Sequence, residues 1–179
     1  MHGIVSLLDP ANYSMVEALW HELDSDCSLE GIKITPLPHF SWQIAEEYDL
    51  EQIKNILASL AASNRVFTAH TTGVGLFTGA VPVIYIPLVK DTHLMALHQL
   101  IWERVQNIAH GLSPYYAPGA WMPHITLANR DVDQESLNCA MEKLAFRSFD
   151  WEIRIDHLAL VHQADEQEGW LQFRYDFPQ

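Results

Sequence analysis

Residues 38–42 read PHFSW, and residues 123–127 read PHITL. Each stretch sets a proline before a histidine, then an apolar residue, a hydroxyl residue and another apolar residue. The histidines, His39 and His124, lie 85 positions apart. An amphipathic stripe follows each motif at almost the same spacing. Ile53, Ile56, Leu57 and Leu60 recur as Leu137, Ala140, Met141 and Leu144, a shift of 84. One deletion in a connecting loop accounts for the single-residue difference. A repeat of this length is too long for a solenoid. Two copies imply two like units that face each other.

Apolar periodicity gives each copy the order β-α-β-α-β, over about 1–78 and 81–162. In the first copy, strands are expected at 3–8 and 39–44, and helices at 10–23 and 50–63. Asp9 and Pro10 supply the first helix with a cap and a first-turn proline. A strand-like stretch at 65–77 holds Gly73 and Gly75, the mark of a bend or bulge. In the second copy, strands are expected at 81–89, 124–128 and 151–162. Its helices are expected at 92–111, ending in glycine, and at 133–146. A closing strand at 169–177 shows period-two alternation. No Ser/Gly/Pro-rich linker divides the copies. The expected fold is α+β: duplicated lobes with mainly antiparallel sheets facing across a central cleft, and helices outside. The expected organisation is one bilobal domain, 1–179.

On a strand, residues i and i+2 share a face. His39 therefore projects with Ser41, and His124 with Thr126. Phe40, Trp42, Ile125 and Leu127 point the other way, into apolar packing. A pseudo-two-fold would bring both imidazole–hydroxyl pairs to one cleft. Two imidazoles suit phosphodiester chemistry without a metal. A neutral one accepts a proton from the attacking oxygen and a protonated one supplies the leaving oxygen, each step contributing ~10²–10⁴-fold. An unperturbed pKa near 6.5 makes both forms accessible near neutrality. The hydroxyls can donate to non-bridging phosphate oxygens as charge shifts. His70-Thr71-Thr72 is a third such triplet, but it lacks the proline and the apolar middle residue.

The paired PHFS and PHIT motifs in a duplicated frame of 179 residues resemble the 2H phosphoesterase superfamily. Its best-known branch comprises the 2′–5′ RNA ligase-like and cyclic nucleotide phosphodiesterase proteins. The resemblance implies that His39 and His124 are the catalytic pair and that Ser41 and Thr126 hold the phosphate. It also implies metal-independent hydrolysis of 2′,3′-cyclic phosphates or related 2′-linked esters, with reversible 2′–5′ ligation in some members. Several members carry an arginine shortly after the second motif, which makes Arg130 of HITLANRD a candidate substrate contact. The first motif has Ser where Thr is commoner, which keeps the hydroxyl. The loop GLSPYYAPGAWMP adds Tyr115, Tyr116 and Trp121 beside His124, and aromatic faces can stack on a nucleobase.

The net charge of −13, from ten basic and 23 acidic residues, argues against binding long nucleic acid, which relies on neutralising phosphates. The expected partner is a small nucleotide or an RNA 3′ end, and the expected state a monomer away from membranes. No apolar run approaches the roughly 20 residues of a membrane helix. The N-terminal MHGIVSLLD reads as a strand rather than a signal peptide, so a cytoplasmic location is expected. Cys27 and Cys139 are then expected to be reduced and buried. No cofactor is expected. His70, His93, His98, His110, His157 and His162 are expected to be structural, because they lack HxH or HExxH spacing for a metal. Trp20, Trp42 and Trp102 are expected in the core. Two other readings remain: a non-catalytic nucleotide or RNA-end binding module, and a metal-dependent hydrolase built on the extra histidines.

Overall fold

The computed structural model describes residues 1–34, 36–162 and 170–179. Four aspartates set the helix starts. Asp9, Asp49, Asp91 and Asp133 each accept backbone N–H groups at the head of α1 (Pro10–Cys27), α2 (Leu50–Ser63), α3 (Thr92–Val105) and α4 (Gln134–Leu144). Such caps satisfy donors that a helix cannot satisfy internally. The stripes that mark the repeat are the buried faces: Ile53, Leu57 and Leu60 on α2, Ala140 and Leu144 on α4.

The first copy supplies strands β1 (His2–Leu7), β2 (His39–Tyr48), β3 (Phe67–His70) and β4 (Gly75–Phe77). The second supplies β5 (Val83–Pro87), β6 (Ala109–Leu112), β7 (His124–Ala128), β8 (Glu152–Ile155) and β9 (His157–His162). The closing strand is β10 (Trp170–Asp176); Gly169, its expected first residue, lies outside the described residues. Eight strands form one sheet in the order β10-β9-β1-β2-β7-β5-β4, with β6 also on β2. All of these pairings are antiparallel. β3 and β8 form a second, two-stranded antiparallel sheet.

The copies exchange strands. β4 of the first copy pairs with β5 of the second, and β9 of the second pairs with β1 of the first. Helices cross over as well: α1 packs on β7, and α3 packs on β2. The two motif strands, β2 and β7, meet at the single register pair Phe40↔Ile125. One face of the sheet lies against the helices in a shared apolar core. The other face carries the cleft.

Three elements depart from expectation. The helix expected over 92–111 stops at Val105, and residues 109–112 form β6 on β2. Ile108, Ala109 and Leu112 have spacing that mimics a helical stripe, yet they are partly buried as part of a strand edge. Gly111 takes φ +62° there, a left-handed conformation that glycine tolerates. The stretch 65–77 divides at Gly73, also left-handed at φ +58°, so that β3 and β4 join different sheets. The strand expected over 151–162 divides at Asp156 in the same way.

The cysteines are also a correction. Cys27 and Cys139 form a disulfide with Cα atoms 5.7 Å apart. It joins the end of α1 to α4, so neither thiol is free, and Cys139 is only partly buried. Two ion pairs cross the same joint, Lys143–Asp26 and Arg147–Glu22. Among the described residues, no helix is long and apolar enough to cross a membrane.

Candidate active site

A cleft of about 790 Å³ opens on the sheet face opposite the helices. His39 and Ser41 reach it from β2, and His124 and Thr126 from β7. Their alternate neighbours Phe40, Trp42, Ile125 and Leu127 are fully buried on the other side. Period-two geometry thus does what the sequence implies: it splits each motif into a cleft pair and a core pair.

The two imidazoles are held alike. Nδ1 of His39 contacts the Leu37 carbonyl, and Nδ1 of His124 lies 2.6 Å from the Met122 carbonyl. Each carbonyl belongs to the residue two positions back. A carbonyl oxygen only accepts, so each Nδ1 carries its proton and donates. That fixes the tautomer and leaves Nε2 of each ring for chemistry. Burial lowers the pKa of both histidines. In His39 the Leu37 hydrogen bond opposes this, and the charge of His124 lowers it further. In His124 the Met122 hydrogen bond opposes it.

The backbone beneath the hydroxyls is braced by two indoles. Trp121 Nε1 donates to the Ser41 carbonyl, and Trp20 Nε1 donates to the Thr126 carbonyl, each at 3.0 Å. Trp121 is 0% exposed and stacks between His98, at 3.8 Å between centroids, and Trp42, at 5.5 Å. Trp121 is therefore not among the residues that line the cleft. Its aromatic loop setting resembles a stacking residue, but the chain folds it under the strand. His98 belongs to the same buried stack. Its Nε2 contacts the Tyr116 carbonyl at 3.1 Å, and burial pushes its pKa down to about 4.

The other expected contacts do line the cleft. Tyr115 stands at the rim, 79% exposed. Tyr116 is mostly enclosed, and its hydroxyl is hydrogen-bonded to Ser41; burial raises its pKa to about 12. Arg130 follows β7 in a left-handed conformation, φ +73°, which is uncommon for a residue with a side chain. No described residue forms an ion pair or hydrogen bond with its guanidinium, and it faces the cleft beside Asn129. Among the described residues lining the cleft there is one arginine, there are four histidines, and there is no carboxylate. In a chain of net charge −13, that lining carries no negatively charged side chain.

Residues missed in the sequence lie beside His124: Phe77 lines the cleft and the buried Tyr85 packs behind it. Phe77 and Tyr85 stack 4.1 Å apart and meet the His124 ring edge-on at 5.0 and 5.3 Å. The alternation of VPVIYIPLV was the available signal, since it puts Tyr85 on the face of its neighbour Thr126. Of the remaining histidines expected to be structural, His162 lines the cleft with His2, while His70, His93, His110 and His157 lie elsewhere. One cluster, Asp156, His157 and Asp176, has spacing that could hold a metal. Both His157 ring nitrogens are already engaged, one by the Leu7 N–H and one by Asp156, and the cluster is not part of the cleft lining.

Comparison with known proteins points the same way. The profile of the 2′–5′ RNA ligase superfamily matches residues 32–167. A Bacillus cereus protein named "Putative phosphoesterase" is 27% identical over 121 residues, covering 68% of this chain and 66% of that protein. A Bacillus thuringiensis protein of the same name is 27% identical over 120 residues, covering 67% and 65%. The chain thus aligns with just under two thirds of the length of these relatives. Among solved structures, TT0787 of Thermus thermophilus superposes with a TM-score of 0.67 at 18% identity, over 99% of this chain and 98% of that one. E. coli LigT complexed with 3′-AMP superposes at 0.56 with 14% identity, over the full length of both. These two likenesses are of fold.

Proposed function

The chain belongs to the 2′–5′ RNA ligase superfamily, and on that premise we propose that it is a metal-independent phosphodiesterase. Its substrate would be a 2′,3′-cyclic phosphate or related 2′-linked ester on a nucleotide or RNA end. One observation carries the reading: two imidazoles, each with Nδ1 on a carbonyl and Nε2 free, flank one cleft with a hydroxyl beside each. One Nε2 takes the proton of the attacking water. The other, protonated, supplies the departing ribose oxygen, so that water adds across the P–O bond and one acid ester results. Ser41 and Thr126 donate to the non-bridging oxygens, where negative charge grows, and Arg130 adds positive charge beside them. The complex of LigT with 3′-AMP supports a nucleotide as the molecule that fits.

The test is a panel of 2′,3′-cyclic, 3′,5′-cyclic and 2′–5′-linked substrates in EDTA, with product regiochemistry read out. Turnover of a 2′,3′-cyclic substrate is expected. Tight binding without turnover across the panel would overturn the proposal in favour of a binding module. The pH profile adds a second reading. Both histidines are lowered from the usual 6.5, so the bell in kcat/KM, which reports the free protein, should centre below 6.5. Activity falls on its acid side as the base is protonated. It falls on the alkaline side as the acid loses its proton.

A further inference from the structure

Arg130 lines the cleft in a conformation that its own chemistry disfavours. In a left-handed turn the Cβ of an L-residue crowds the following carbonyl oxygen, and Arg130 has φ +73°. Its sequence neighbours show what holds it there. Asp131 Oδ2 accepts the backbone N–H groups of Glu30 and Gly31, each at 2.6 Å. These bonds tie segments about one hundred residues apart in sequence. Asp131 Oδ1 is buried without a hydrogen-bond partner, a cost accepted only where the group has a task. On the other side of Arg130, the chain passes Gly31 very closely. A Cβ added to Gly31 would fall 2.0 Å from the Asn129 carbonyl oxygen and 2.8 Å from Asp131 Oδ1, so the approach needs glycine.

The clamp stands in the wall of the site. Gly31 opens the short turn Gly31–Ile34, which packs on β7. Gly31, Ile32, Asn129 and Arg130 all line the cleft. Both residues that flank Arg130 are therefore fixed, Asn129 by the closeness of Gly31 and Asp131 by its two bonds. The residue between them turns left-handed and faces the cleft. The clamp also has an electrostatic consequence. A carboxylate next in sequence to an arginine is a ready ion-pair partner that would cancel its charge. Asp131 forms no ion pair with Arg130, because its bonding oxygen is occupied by N–H groups. We propose that Asp131 and Gly31 are positioning residues, which hold Arg130 left-handed and keep its guanidinium available to a substrate phosphate. The proposal rests on the phosphodiesterase reading and adds to it two residues that act through a third.

The test is a double-mutant cycle in kcat/KM on adenosine 2′,3′-cyclic phosphate. Arg130→Ala should lower kcat/KM by about 10²-fold. Asp131→Ala should lower it by about 10-fold in the natural background and by under about 2-fold when combined with Arg130→Ala, since the clamp acts only through the arginine. A loss of equal size in both backgrounds would overturn the proposal, because general damage to the fold does not depend on Arg130. Natural kcat/KM in Arg130→Ala or in Asp131→Ala would overturn it too. Two further variants serve if Asp131→Ala does not fold. Asp131→Asn keeps an acceptor oxygen without the charge, and Gly31→Ala pushes against the Asn129 carbonyl. Each should lose about 3-fold or more in the natural background and is read in the same cycle by the same criteria. If the cyclic phosphate is not turned over, the catalytic reading fails by itself, and inorganic phosphate decides the clamp. The Arg130 Nε–H resonance should shift with phosphate in the natural protein, and Asp131→Asn should need about 10-fold more phosphate for the same shift. No shift in the natural protein, or the same midpoint in both, would overturn it.

Discussion

The His39 half and the His124 half hold their imidazoles in the same way and surround them differently. Each ring donates Nδ1–H to the carbonyl two residues back, and each adjoining hydroxyl strand is braced by an indole from the other copy. Beyond that the halves part. His124 is flanked by Phe77 and Tyr85, whereas the His39 strand has Val5 and Gly3 as its register neighbours. Ser41 shares its hydroxyl with Tyr116, while no described residue holds that of Thr126. Arg130 follows the second motif, and the first has Ala45 in the matching position. The repeat keeps the groups that would act on phosphorus alike and varies what lies to either side. A phosphodiester is itself like this: one symmetric centre with two unlike substituents.

The largest expected effects test the shared part. His39→Ala and His124→Ala should each lower kcat by ~10²–10⁴-fold on a 2′,3′-cyclic substrate. The double variant should lose little more than the worse single one, because the two groups act in one event. A single variant with natural kcat would break the equivalence of the halves. The hydroxyls come next and test the second difference. Thr126→Ala removes a donor that has no substitute and should cost about 10²-fold in kcat. Ser41→Ala leaves the Tyr116 hydroxyl nearby and should cost about 10-fold. Equal losses would show that Tyr116 does not stand in for Ser41.

Much of this site could be read in the sequence, and the reason is local geometry. A period of two divides PHFSW and PHITL between cleft and core wherever the strand lies, and an aspartate before an amphipathic stripe starts a helix in any context. What could not be read depends on partners distant in sequence. Nothing in the segment 65–77 says that β3 will pair with β8 while β4 pairs with β5. The residues 108–112 suit a helix as well as a strand, and only the edge of β2 decides. Trp121 lies among exposed aromatics in the sequence, yet its indole N–H is needed by a carbonyl 80 residues away. The cysteines were expected to be reduced and buried on the ground of an expected cytoplasmic location; 112 residues separate them, and only the α1–α4 packing brings them together.

That disulfide marks a fourth difference between the halves. By the repeat, the α1/α4 joint corresponds to the α3/α2 joint. The first is crossed by the disulfide and two ion pairs; among the described residues no disulfide or ion pair crosses the second. Reducing the disulfide, or Cys139→Ser, should lower stability by about 2–4 kcal/mol, read as a shift in urea midpoint. The exposed ion pairs contribute little by comparison. Unchanged stability would show that helix packing alone holds this joint, as it does its counterpart.

The smallest expected effect falls on the braces, where the halves come nearest to being equal. Trp121→Phe and Trp20→Phe each delete one N–H and keep most of the ring. The bond from Trp121 is buried and the bond from Trp20 is only partly so. A carbonyl left bare in the interior bears its full desolvation cost, ~1–3 kcal/mol, whereas one that water can reach recovers most of a hydrogen bond. Trp121 also stacks against both His98 and Trp42, so a smaller ring loosens packing on two sides. Trp121→Phe should therefore lower the urea midpoint by the equivalent of about 2 kcal/mol, and Trp20→Phe by under about 1 kcal/mol. The same ordering should hold in kcat, because each brace fixes the strand that carries a phosphate-facing hydroxyl. If Trp20→Phe proves as costly as Trp121→Phe, water does not reach the Thr126 carbonyl, and the two braces are equivalent in energy as well as in geometry.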